Sequence, residues 1–153
     1  MPVEADRDLL AAVADGLAAG ADPGRAPRMQ AYMKSEMPYL GVAVPKVRAL
    51  TKVAAHPLGV GRLLLAWSSV PDRWLRRADI LAQVGSKSRT DVDLLTEIID
   101  ANASHRDFFV RKAIGWALRD YARTDPEWVR AFVEDRAATL SSLSCREATR
   151  HLP

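Results

Sequence analysis

Hydrophobic positions recur along this chain at three- and four-residue spacings and almost nowhere in alternation, so the pattern predicts helices from end to end. Residues 5–19 put Leu9, Leu10, Val13 and Leu17 on one side of a first helix. Residues 20–27 predict a loop, with Pro27 opening a second helix that carries Met29, Tyr32 and Met33. The segment PYLGVAVP, residues 38–45, predicts a turn, because Gly41 and the flanking prolines interrupt a helix. A third helix is expected from Pro45 through Val47, Leu50 and Val53, and others over 63–67, 73–84, 91–101, 108–123 and 125–136. Ser144 and Glu147 have the spacing of a capping box and predict a last short helix over 145–152. No stretch combines alternation with β-branched enrichment, so the expected class is all-α.

Two features go beyond helix count. DRWLRRA at 72–78 is echoed by DFFVRKA at 107–113, an offset of 35 residues. In each copy the Asp suits a helix cap, and the aromatic and aliphatic residues suit a packing layer. Helix pairs recurring at roughly 35–45 residues predict HEAT-like repeats in a curved α-solenoid. The helix over 108–123 carries the second feature. At ~100° per residue, Val110, Ala113, Ile114, Ala117, Leu118 and Tyr121 share a broad apolar side. Lys112, Trp116, Arg119 and Arg123 share the opposite one. A Trp turned from the packing stripe, among three cations and beside Gly115, suits a flat anionic partner. Nucleic acid fits that description.

Composition sharpens this picture by segment more than in total. A net charge of +3 and a pI near 9.3 are only mildly basic. Residues 1–24 carry Arg7 against five acids, residues 25–77 carry ten basic residues against Glu36 and Asp72, and residues 78–104 turn acidic again. Segregation of this kind points to a basic face and a polyanionic partner. The length of 153 residues and the 48% hydrophobic content suit one folded domain over 1–153. No apolar run reaches the ~20 residues of a membrane span, and the acidic N-terminal stretch is unlike a signal peptide, so a cytoplasmic protein is expected. Cys145 is single, and His56, His105 and His151 are scattered without metal-ligand spacing. With no Gly-rich phosphate loop either, no metal or cofactor is expected.

Four segments carry a family resemblance. FFVRKAIGWALRDYARTDPEWVRAFV and LSSLSCREATRHL resemble the C-terminal part of bacterial DNA alkylation repair enzymes of the AlkD type. MQAYMKSEMPYLGVAVPKVRAL resembles that family's N-terminal signature, and DRWLRRADILAQVGSKSRTDVDLL its Trp-Leu-x-Arg helix and following repeat. The resemblance spans nearly the whole chain except the extreme N-terminus and residues 53–66. It implies HEAT-like-repeat DNA glycosylases that excise cationic N3- and N7-alkylpurines from duplex DNA. Such a purine leaves readily, and a nearby carboxylate stabilises the oxocarbenium character left on the sugar. The family is held to do this without flipping the base, cradling the lesion between exposed Trp rings.

By that resemblance Trp116 is a lesion contact and Arg77 an active-site Arg on the backbone phosphate; the residues alone equally allow an inter-repeat Arg77 paired with an acid, and allow Trp116 as a partly buried inter-repeat Trp. Lys112 and Arg119 share the Trp116 face as phosphate contacts, Arg123 extends it, and Lys34 matches a Tyr-Met-Lys motif in which Tyr32 is expected to be core. Trp67, Trp74 and Trp128 are read as packing residues, and Cys145 as structural. One departure limits the carry-over. The family's Trp-Trp-Asp-x-Val-Asp block, which supplies the catalytic carboxylate, has no match, and KVAAHPLGVGR at 52–62 reads as a deletion seam within 53–66. The catalytic residue is therefore unassigned, and Asp79 is expected to be exposed or ion-paired. The expected function is DNA alkylation repair with impaired excision and self-association across the seam. The alternatives are a non-catalytic DNA-binding module and a protein-binding α-solenoid.

Overall fold

The computed structural model describes residues 2–34, 39–43, 45–46 and 60–152, and every regular element among them is helical. The chain divides into two compact units, Met1–Val60 and Gly61–Pro153.

In the first unit, α1 (Pro2–Ala19) and α2 (Ala26–Met33) are joined by a loop closed through Asp22. Its carboxylate accepts from the Gly24 and Arg25 amides at 2.9 and 3.1 Å, and its own amide donates to the Leu40 carbonyl at 2.6 Å. Pro27 lies in the first turn of α2, as expected. Gly41 has φ +72°, and a Cβ there would sit 2.1 Å from the Asp22 carbonyl oxygen, so the predicted turn admits only glycine. Tyr32 departs from expectation: it is 82% exposed and not core. Its hydroxyl makes it as compatible with water as with packing, and periodicity in an eight-residue helix cannot choose between them. Past residue 46, the helix expected through Val53 lies outside the described residues, as does most of the expected seam.

The second unit holds α3 (Val60–Trp67), α4 (Arg73–Leu81), a 3-10 turn (Lys87–Arg89), α5 (Val92–Asn102), α6 (Phe108–Tyr121), α7 (Pro126–Asp135) and α8 (Ser142–Thr149). Each of the last five helices starts on a side-chain cap: Asp72, Asp91, Asp107, Asp125 and Ser141. Each satisfies amide donors that the first helical turn leaves open, worth ~1 kcal/mol per cap. The expected capping box is displaced. Ser141 caps α8 by accepting from the Ser144 amide at 3.0 Å, and Ser144 is buried inside the helix with its hydroxyl donating to the Arg111 carbonyl at 2.8 Å. The helix expected over 73–84 ends earlier, at Leu81, and Gly85 follows with φ +86°.

The sequence echo is a structural repeat. Asp72 accepts from the amides of Trp74 and Leu75 at 2.7 and 3.2 Å, and Asp107 accepts from Phe109 and Val110 at 2.8 and 3.2 Å. The two helices lie side by side in the same direction. Trp74 meets Phe109 at a ring separation of 5.2 Å near their starts, and toward their other ends the Gly85 amide, past α4, donates at 2.6 Å to Asp120 in the last turn of α6. Both contacts join residues 35 apart. Farther along, α8 packs on α6 in the same sense, with Ser144 against Arg111 and Glu147 against Arg119. The core of this unit holds Ile80, Leu95, Ile98, Ile99, Val129 and the apolar side of α6, where Val110, Ala113, Ile114 and Leu118 have no exposure. The predicted helical wheel is thereby realised.

Candidate nucleic-acid interface

The side of α6 turned from this core is bordered by α4 and α8. Two arginines reach it from α4. The Arg77 guanidinium donates to the Phe109 carbonyl at 2.8 Å and lies 5.9 Å from the centre of the Trp116 ring. Arg73 lies 5.0 Å from the Trp74 ring centre and pairs with Asp107 at 3.3 Å. On α6 the Lys112 ammonium is 5.7 Å from the Phe108 ring centre, and Phe108 is half exposed. Cations and aromatic rings therefore interleave across two adjacent repeats. Each such contact is worth only ~0.5–1 kcal/mol where exposed, but together they fix ring faces and charges in one array.

The α8 edge is set by Gly115. A Cβ at that position would lie 2.5 Å from the Glu147 Cβ and 3.0 Å from the Ser144 carbonyl oxygen. Glycine here serves close helix packing, and it brings Glu147 next to the Trp116 face. Glu147 accepts from Arg119 at 2.5 Å, and Arg150 stands 3.9 Å from its other oxygen. The Arg119 hydrogen bond, with Lys112 and Arg150 nearby, holds the Glu147 carboxyl below the usual range, so it is ionised at neutral pH.

The structure brings together Trp116 and Arg77, which the sequence singled out separately from helices 35 residues apart, and adds Lys112 to the same face. Trp116 is half buried, with Arg77 over it. Arg119 lies on this helix and is held by Glu147. Arg123 is exposed beyond the Ala122 C-cap of α6. Lys34 belongs to the first unit, exposed, where it ends α2 in a left-handed conformation with φ 49°. Trp74 packs on Phe109, and Trp128 sits between Tyr121 and Phe132 at ring separations of 5.4 and 4.7 Å, which fits their reading as packing residues. Cys145 is half buried, and burial pushes its thiol up.

Asp79 departs from the sequence reading. It has no exposure, and its carboxylate accepts from the Ser68 hydroxyl at 2.5 Å. Asn102, also fully buried, donates to the same hydroxyl oxygen at 3.2 Å and to the Ile98 carbonyl at 2.9 Å. Arg76 completes this cluster by donating to the carbonyls of Ser68 and Val70, just past the end of α3, and to the Asn102 side chain. The network joins α3, α4 and α5 inside the unit, so Asp79 offers no carboxylate to the Trp116 face. Its position beside Ile80 was the available sign of burial, while its partners are brought in only by tertiary packing. Among the described residues near this face, Asp107 and Glu147 are each paired with an arginine, and Asp120, one turn on from Trp116, accepts from the Gly85 amide.

Against known proteins, the chain is similar to the DNA alkylation repair enzyme family in two overlapping stretches, residues 13–61 and 56–152. A solved structure described as "Predicted DNA alkylation repair enzyme from Enterococcus faecalis" matches with a TM-score of 0.56 and 21% identity, over 86% of this chain and 96% of that one. At that identity the likeness carries the fold alone. No curated protein matches the chain.

Proposed function

The chain belongs to the DNA alkylation repair enzyme family, and from that premise we propose that it binds duplex DNA on the face where Arg77 overlies Trp116. The observation that carries this reading is the Arg77 guanidinium over the Trp116 ring, 5.9 Å from its centre, on the polar side of α6 with Lys112 on the same face. In this reading the helix pairs of the second unit are HEAT-like repeats that present a basic face. Arg77, Lys112, Arg123 and Lys34 meet backbone phosphates, contacts that position a duplex without reading its bases. Trp116 lies against the damaged nucleotide, where a cationic base or its sugar gains roughly 0.5–2 kcal/mol from the ring face. Arg119, on the same helix, is held by Glu147 and stands outside this set of contacts.

The reaction implied by the family is hydrolysis of the N-glycosidic bond of an N3- or N7-alkylpurine. We propose that this chain performs it weakly, or serves as a DNA-binding module without it. Three facts support the impairment. The family's carboxylate motif is missing from the sequence, Asp79 is fully buried, and Asp107 and Glu147 are occupied by arginines. Loss of a preorganised electrostatic group commonly costs ~10²–10³ in rate. Such a protein works on the chromosome, in the cytoplasm with the nucleoid. The two matched stretches meet at 56–61, inside the expected seam, and a shortened array exposes apolar repeat faces through which two copies pair.

The test is single-turnover release of N7-methylguanine from methylated duplex DNA, alongside binding to the same duplex. Binding with release barely above the spontaneous rate is expected. Robust release refutes the impairment, and no duplex binding at low salt refutes the proposal as a whole.

A further inference from the structure

We propose that Glu147 is a positioning residue of the DNA face, holding Arg119 away from the phosphates and so limiting how tightly the protein grips undamaged duplex. This rests on the duplex-binding reading above. Glu147 comes from α8 and is brought to the Trp116 face by the close approach at Gly115. It is 14% exposed, and Arg119 is 22% exposed, so the pair is largely shielded from solvent and at 2.5 Å is in direct hydrogen-bond contact. Ion pairs of this kind are screened by salt far less than exposed ones. The counterions released on binding come from the duplex, as protein cations neutralise its phosphates, so an arginine whose charge is already taken up by a carboxylate neutralises no phosphate and adds nothing to the salt dependence. The phosphate-facing charge of α6 is thereby reduced to the cations that Glu147 does not bind directly. A weaker uniform grip favours sites where Trp116 finds a cationic base over the excess of undamaged duplex, because discrimination is a difference of affinities.

The experiment compares the full chain, its Glu147→Gln variant and the double variant Arg119→Gln/Glu147→Gln. Affinity for an undamaged duplex is measured by fluorescence anisotropy between about 50 and 200 mM salt. Glu147→Gln preserves shape and a hydrogen bond to Arg119 but releases its charge. The slope of log affinity against log salt is expected to steepen by about 0.9, so affinity lost across that salt range grows by roughly three- to fourfold. Removing both partners leaves net charge unchanged and is expected to restore the wild-type slope and an affinity within about twofold. A merely structural role for Glu147 would change the melting temperature and leave the slope alone.

An unchanged slope in a folded Glu147→Gln variant overturns the proposal. So does a double variant whose slope falls by about 0.9 below wild type, because Arg119 then contacts phosphate despite its partner. If Glu147→Gln does not fold, the double variant decides. If the wild type shows no duplex binding, the underlying reading fails and this one falls with it. Salt-dependent wild-type binding with an unresponsive Glu147 sinks the inference alone.

Discussion

Replacing Asp79 by Asn changes one atom in a buried polar cluster, and its consequence can be worked out from the structure. Burial pushes the Asp79 carboxyl up from 3.8 to about 6, with the Ser68 hydrogen bond acting in the opposite direction. The folded state therefore binds this proton more tightly than the unfolded state does. The resulting stabilisation is fully present below the unfolded value near 3.8 and is lost as pH rises through about 6. At ~1.4 kcal/mol per pH unit the full effect is roughly 3 kcal/mol, of which about 2 kcal/mol develops between pH 7.5 and 4.5. Asparagine has no such proton, and its amide nitrogen falls where Asp79 has a carboxylate oxygen without a hydrogen-bond partner. Leaving that amide unpaired costs roughly 1–3 kcal/mol, but the cost does not depend on pH. The assay is denaturant unfolding of wild type and Asp79→Asn from pH 4.5 to 7.5. Subtracting one curve from the other cancels the carboxylates and histidines common to both. Wild type is expected to gain about 2 kcal/mol on the variant as pH falls across that window. A flat difference, or one of opposite sign, refutes the assignment of Asp79 as a buried carboxyl with a raised value.

Three further outcomes follow from packing and charge. Gly115→Ala places a methyl 2.5 Å from the Glu147 Cβ, and the clash is expected to outweigh the ~1 kcal/mol helix gain, destabilising the chain by roughly 1–3 kcal/mol in a thermal melt. A melt unchanged or raised shows that α6 and α8 separate without cost. Lys112→Glu with Arg123→Glu, both exposed, is expected to weaken duplex binding to every sequence alike, and a loss confined to one sequence contradicts backbone contact. If two copies pair across the seam, sedimentation at micromolar concentration shows a dimer, whereas a monomer with a single cooperative melt removes that proposal.

What the sequence disclosed and what it hid divide along physical lines. Helix starts were readable because Asp72 and Asp107 act on amides two and three residues away, a contact that never leaves its own segment. The α6 wheel was readable because a fourteen-residue helix averages its periodicity over nearly four turns. The last cap was misplaced because LSSLS offers three serines, and only the fit of Ser144 against Arg111 selects Ser141. The Trp116 face was legible as a list of cations. That Glu147 sits among them depends on how α8 crosses α6 at Gly115, which no local pattern encodes. Asp79 was misjudged for the same reason, since Ser68 and Asn102 stand 11 and 23 residues away along the chain.

The 35-residue step between α4 and α6 has a consequence for how such a chain can change in length. Trp74 meets Phe109 at one end of the pair and Gly85 meets Asp120 at the other, so both ends keep the same phase. An insertion or deletion of a few residues inside either helix would throw one of these contacts out of phase with its partner. Loss of a whole step keeps that phase, even where it leaves an apolar repeat face for a second copy to cover. Length in this architecture is therefore quantised: the chain tolerates the removal of complete units far better than the trimming of parts.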